Sequence, residues 1–152
     1  MPGPGLAITD AESTFATTPT LRDAAVASPQ SLTVLIVEDD EDSRYVYTLI
    51  LEANGFEVVT ATSGVEGLTL ARTLRPDAIL MDVSIPETDG WTVTETLKGD
   101  AATRPIPIIV ITAHAFPEDH ERAEEVGCDA FLTKPCEPRQ VLEEVQRVLA
   151  LG

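Results

Sequence analysis

The chain alternates short, nearly continuous apolar runs with longer stretches in which apolar residues recur at helical spacing. The runs are Leu32–Val37, Phe56–Ala61, Asp77–Asp82, Ile108–Thr112 and Asp129–Thr133. Runs that are apolar at successive positions suit strands buried on both faces, as in a parallel sheet covered by helices. Between them the period changes. A helix is expected over 42–54, with Val46, Leu49, Ile50 and Ala53 as one inward stripe and Asn54-Gly55 as its stop. A second is expected over 64–74, capped by Ser63, turned inward at Val65, Leu68 and Ala71, and ended by Arg75-Pro76. Further helices are expected over 91–98, over 117–126 with Pro117 in its first turn and Gly127 as its stop, and over 137–149. In the last, Val141, Leu142, Val145, Val148 and Leu149 form the inner face, with Glu143 and Arg147 as an i, i+4 pair. Five strand–helix repeats predict an α/β domain with a parallel sheet and helices on both sides.

Residues 1–30 break this pattern. They are rich in Pro, Gly, Ala, Thr and Ser without a sustained period, and are expected to be a disordered arm, with a short helix conceivable over Leu21–Ala27. The folded domain is then 31–152. With 43% hydrophobic and 24% charged residues in 152, the composition is that of one ordinary globular domain. The net charge of −16 argues against nucleic acid and against anionic membrane surfaces, and favours cations or a basic protein partner. Two cysteines, Cys128 and Cys136, make no CxxC and no metal-binding spacing, so two free thiols in a reducing compartment are expected. The chain shows no apolar run long enough to span a membrane and no secretory signal, and a cytoplasmic location is expected.

Candidate chemistry gathers where the strands end. The first strand runs into five acidic residues, Glu38 to Asp42. Acid there suits a helix N-terminus, but carboxylates packed together also repel one another, and a hard cation such as Mg2+ with oxygen ligands relieves that repulsion. The third strand ends in Asp82, the fourth in Thr112, and Lys134 follows the fifth. In a parallel sheet all these ends lie on one side, the side on which open α/β sheets bind ligands. Taken singly, each residue is an ordinary cap or turn. Together they form a coherent set: Glu38 and Asp39 for Mg2+, Asp82 as a further metal ligand and carboxylate nucleophile, Lys134 as positive charge, and Thr112 as a donor to a phosphoryl oxygen.

The segments LIVEDD, LMDVSIPETDGW, IIVITAHA and FLTKP, in that order, resemble the receiver domain of two-component response regulators, and the likeness covers 32–151. It implies a flavodoxin-like (βα)5 fold with strand order 2-1-3-4-5. It also implies Asp82 as phosphoacceptor, Glu38 and Asp39 as the acidic pair with Asp39 a direct Mg2+ ligand, and Ser84 as a ligand through its backbone carbonyl. Thr112 corresponds to the switch hydroxyl, Lys134 to the phosphate-binding lysine, and Phe131 to the family's rotating aromatic, here without the hydroxyl a Tyr would carry. Ile85 stands where many members have Met. Ala113 leaves room beside the site. His114 is expected to be an exposed loop residue, with an influence on dephosphorylation as the alternative, and His120 is expected at the surface.

The resemblance implies a single-domain response regulator rather than an enzyme, phosphorylated by a sensor histidine kinase or a histidine phosphotransfer protein. Because the fifth helix is followed at once by Gly152, output through binding of a downstream protein is expected. The acidic fourth helix points to a basic partner surface. Three readings from other classes stand beside this one, and the first of them stays open. A phosphorylation-independent binding module would share the site residues. A haloacid-dehalogenase-like phosphohydrolase would place a DxD motif after the first strand, and a flavin carrier would need a hydroxyl-rich loop where this chain has acid.

Overall fold

The computed structural model describes residues 31–84, 89–113 and 116–150. The arm expected over 1–30, and Ile85 and His114, lie outside the described residues. The strands are β1 (Thr33–Val37), β2 (Glu57–Ala61), β3 (Ala78–Asp82), β4 (Ile108–Thr112) and β5 (Ala130–Thr133), alternating with helices α1 (Glu41–Ala53), α2 (Gly64–Leu74), α3 (Gly90–Gly99), α4 (Pro117–Val126) and α5 (Pro138–Val148). All pairings are parallel and the order is β2-β1-β3-β4-β5. This is the expected flavodoxin-like arrangement. The winding direction reverses between β1 and β3, which opens a crevice at their carboxyl ends.

Successive strand residues face opposite ways and feed two cores. Leu35, Val37, Ile79 and Met81 pack with Trp91, Val93 and Leu97 of α3 and Ala123 and Val126 of α4. Val34, Ile36 and Leu80 pack with Tyr47 and Leu51 of α1 and Val141, Leu142 and Val145 of α5. Both cysteines are free, with Cys128 packed against the first core and Cys136 against the second.

Local chemistry sets the helix ends. The Asp40 carboxylate caps α1 by accepting from the Ser43 N–H at 2.8 Å. Ser63 caps α2, accepting from the Glu66 N–H at 3.2 Å. A Cβ on Gly67 would lie 2.7 Å from Val37 Cγ2, so a small residue there lets α2 sit close on β1.

Three expectations fail. On α1 the inward residues are Tyr47 and Leu51, whereas Leu49 is 50% exposed, Val46 38% exposed, and Ala53 exposed. The expected stripe points mostly to solvent, because it lies across the helix from the Tyr47–Leu51 line that meets the sheet. On α2, Val65 is exposed and the close contacts come from Gly64, Gly67 and Ala71. On α5, Arg147 pairs with Glu144 at 2.8 Å, one i, i+3 step away, and not with Glu143.

Candidate functional site

Strand β1 delivers Glu38 to the crevice almost fully buried. Its N–H continues the ladder to the Ala61 carbonyl at 2.9 Å, which fixes the residue at the sheet edge. Asp39 follows, exposed, and Asp40 turns away to cap α1. One turn into α1, Arg44 folds back, and its Nη1 donates to the carbonyls of Glu38 (3.0 Å) and Asp39 (3.4 Å). The acidic run therefore divides into a site pair and a helix cap.

Asp82 ends β3 with 2% exposure. Its Oδ1 accepts from the Ser84 N–H at 2.8 Å and its Oδ2 from Lys134 Nζ at 3.1 Å. The next residue holds the sheet register, with the Val83 N–H on the Ile111 carbonyl at 3.0 Å. The start of α3 presses against this strand end. A Cβ on Gly90 would lie 2.6 Å from Val83 Cα and 2.7 Å from the Asp82 carbonyl oxygen, so only glycine fits without moving backbone.

Lys134 enters from the far side of the crevice. Its N–H donates to the Thr112 carbonyl at 2.8 Å, and its ammonium lies 3.1 Å from both Asp82 Oδ2 and Glu38 Oε1. The approach to Glu38 is off the hydrogen-bonding line, and Oε1 remains buried without an aligned donor. Burial raises the Glu38 pKa to about 7, assisted by a hydrogen bond and charge repulsion from Asp82 and opposed by the Asp40 N–H and Lys134. Burial alone would lower the Lys134 pKa, but the Asp82 and Glu38 carboxylates outweigh it and raise it.

Oxygens of Glu38, Asp39 and Asp82 lie within 4.8 Å of one another, and among the described residues no other three acidic, histidine or cysteine side chains converge in this way. All the donors are hard oxygens, and one of them is a buried carboxylate oxygen lacking an aligned donor. The set fits a divalent cation of the Mg2+ kind. Thr112 is buried at the end of β4, one step beyond the Asp82–Ile111 pair, and faces Thr133 in the register of β4 and β5. Phe131 is half-buried on β5 beside the α4 side of the sheet.

The response regulator receiver domain model matches residues 34–146. The chain belongs to that family. It is 41% identical over 116 residues to the polar-differentiation response regulator DivK of Brucella anthropi, covering 76% of this chain and 94% of the relative. Among solved structures it is similar to a CheY-like receiver domain protein from Methanospirillum hungatei, with TM-score 0.75, 28% identity, and coverage of 80% of this chain and 95% of that one. It is also similar to the receiver domain of a sensor histidine kinase from Pseudomonas aeruginosa, whose crystal structure has a magnesium ion coordinated in the active-site cleft. That match has TM-score 0.73 and 30% identity and covers 80% and 99% of the two chains.

This receiver domain also uses residues that its sequence did not single out. Arg44 fixes the backbone of the acidic pair, but no spacing rule marks an arginine on the first turn as turning back. Gly90 has its role from the close approach of the start of α3 to the end of the preceding strand at Asp82 and Val83, which no local spacing announces. On α4, Arg122 pairs with Asp89 at 3.1 Å and lies 5.5 Å over the Trp91 ring, tying α4 to the start of α3. The His120 ring packs against Phe131 with centroids 4.5 Å apart.

Proposed function

We propose that this receiver domain accepts a phosphoryl group on Asp82 from a phosphohistidine and signals through altered protein binding. The observation that carries the reading is the shared crevice, in which Lys134 bridges Asp82 and Glu38 while Glu38, Asp39 and Asp82 converge within cation-bridging reach. An Asp82 carboxylate oxygen attacks phosphorus in line with the P–N bond of the donor. The new O–P bond forms as the P–N bond breaks, and the imidazole leaves with the bonding pair and takes up a proton. Lys134 and the Ser84 N–H hold the carboxylate in place, and Lys134 supplies charge to a phosphoryl oxygen. Glu38, Asp39 and Asp82, with the Ser84 backbone carbonyl, would hold Mg2+. When bound, the ion offsets the charge of the phosphoryl oxygens against the neighbouring carboxylates. The protein is a phosphoryl acceptor with slow self-dephosphorylation, not a turnover enzyme.

The donor is a histidine kinase or histidine phosphotransfer protein that docks over α1. The support is the outward apolar face of α1, with Tyr45 64% exposed and Leu49 50% exposed, on the helix that follows directly from Asp39 and Asp40. Output runs through Thr112 and Phe131. A phosphoryl oxygen draws the Thr112 hydroxyl inward, Phe131 follows, and the face formed by α4, β5 and α5 changes its affinity for a downstream protein. The reading places the protein in the cytoplasm, and no helix among the described residues is long and apolar enough to cross a membrane.

Incubation with acetyl phosphate and Mg2+ tests the assignment. Wild type should become labelled, and both Asp82→Asn and wild type in excess EDTA should not. Equal labelling of Asp82→Asn and wild type would remove Asp82 from the mechanism.

A further inference from the structure

Helix α4 has few apolar anchors. Only Ala123 and Val126 are buried, and its other side chains are mostly charged. Polar and aromatic contacts hold its two flanks instead. Toward α3, Arg122 engages Asp89 and Trp91. Toward β5, the His120 ring lies on Phe131, 4.5 Å between centroids and tilted by 42°. The separation is at the close end of the range over which aromatic rings attract one another. The two rings border an open groove of about 210 Å³, which Ala123, Glu124 and Cys128 also line. Phe131 has no hydroxyl, so no hydrogen bond of its own can select between its positions. The ring contact with His120 is a force that acts on one of those positions, the half-buried one seen here.

We propose that His120 is a positioning residue for Phe131: it stabilises the ring at the groove and thereby sets how readily the domain switches. The proposal rests on the switch role given to Phe131 above. Movement of Phe131 toward Thr112 breaks the His120 contact and frees the β5 flank of α4, while the Arg122 clasp keeps the other flank on α3. The helix then pivots about its α3 side. A longer or larger side chain at 120 is not required for this effect. Any flat ring that reaches Phe131 will serve.

Fluorine NMR with 4-fluorophenylalanine placed at position 131 reads the two ring positions directly, with and without beryllofluoride and Mg2+. Loss of one aromatic pair should raise the ratio of moved to groove-bound ring by about two- to tenfold in His120→Ala. The beryllofluoride concentration for half-conversion should fall by a similar factor. His120→Phe keeps a ring at this position and should behave as wild type, and neither variant should change the thermal unfolding midpoint by more than a few degrees. If beryllofluoride shifts the wild-type signal but His120→Ala gives the wild-type ratio, the positioning role is wrong and the Phe131 switch stands. If the wild-type signal does not respond to beryllofluoride at all, the switch role of Phe131 falls, and this proposal with it.

Discussion

Helices α1 and α5 cover the same face of the sheet but use their apolar residues in opposite ways. The inner line of α5, Val141, Leu142 and Val145, is buried against β1, β3 and β4, with Val148 and Leu149 partly buried beyond it. On α1 the burial comes from Tyr47 and Leu51, while Tyr45, Val46 and Leu49 face solvent. Both helices carry an i, i+3, i+4 stripe in sequence. In α5 the stripe marks the core. In α1 it marks a surface beside the acidic crevice. Periodicity therefore identifies a helix and an apolar face, but not what covers that face. The two differ in charge too, since α1 carries Glu41 and Asp42 in its first turn whereas α5 has no acidic residue there.

Truncation inside α1 breaks the comparison most sharply. Leu51→Ala should cost about 2–5 kcal/mol in urea unfolding, because the side chain is fully buried and leaves a cavity. Leu49→Ala, two positions earlier, should stay within about 0.5 kcal/mol of wild type. Similar losses for the two would mean that the α1 stripe is core after all.

Next in size is a pH effect that belongs to the crevice and to neither helix. The Glu38 carboxyl titrates at about 7 when folded, against 4.5 for the free side chain. Between these values the folded state holds a proton that the unfolded state has lost. Stability in metal-free buffer should therefore fall as pH rises from about 5 to about 8, by on the order of 3 kcal/mol. The raised Lys134 pKa adds nothing in this window, since its stabilisation is lost only above the ordinary lysine value. Glu38→Gln should flatten the curve. Saturating Mg2+ should stabilise wild type more at pH 8 than at pH 5, because the proton and the cation compete for one carboxylate. A metal-free curve that rises from pH 5 to pH 8 would contradict the burial of Glu38.

The strand ends were the part most legible from sequence. Strand β4 and helices α2 and α4 have the expected bounds, and Glu38, Asp82, Thr112 and Lys134 reach one edge because parallel strands leave no other place for them. Legibility failed wherever a residue's role depends on a partner distant in the chain. Val46 and Leu49 look apolar and periodic, yet only the placement of β1 and β2 decides which side of α1 meets the sheet. His120 reads as a surface residue, and it is exposed, but its contact with Phe131 exists only once α4 and β5 are neighbours. Gly90 and Arg44 escaped notice for another reason: their partners, Asp82 and Val83, and Glu38 and Asp39, are near in the chain, but the contacts are made with backbone atoms that side-chain patterning does not mark.

Smaller effects sharpen the functional half of the comparison. Leu49→Asp should lower transfer from a histidine phosphotransfer domain that labels wild type by about tenfold, the equivalent of ~1.4 kcal/mol. Labelling by acetyl phosphate, which needs no docking surface, should be unchanged. Equal losses with both donors would place the defect in the crevice rather than on the face of α1. On α5, Arg147→Ala removes an exposed pair with Glu144 and should change stability by less than about 1 kcal/mol in thermal unfolding.

Locating the modified carboxylate tests the central claim most directly. After incubation with acetyl phosphate and Mg2+, borohydride reduction converts an aspartyl phosphate to homoserine, and peptide mass spectrometry finds its position. The account predicts homoserine at position 82, absent when Mg2+ is omitted. Homoserine at position 39 or 40 instead, or at no position under conditions where the protein is labelled, would contradict it.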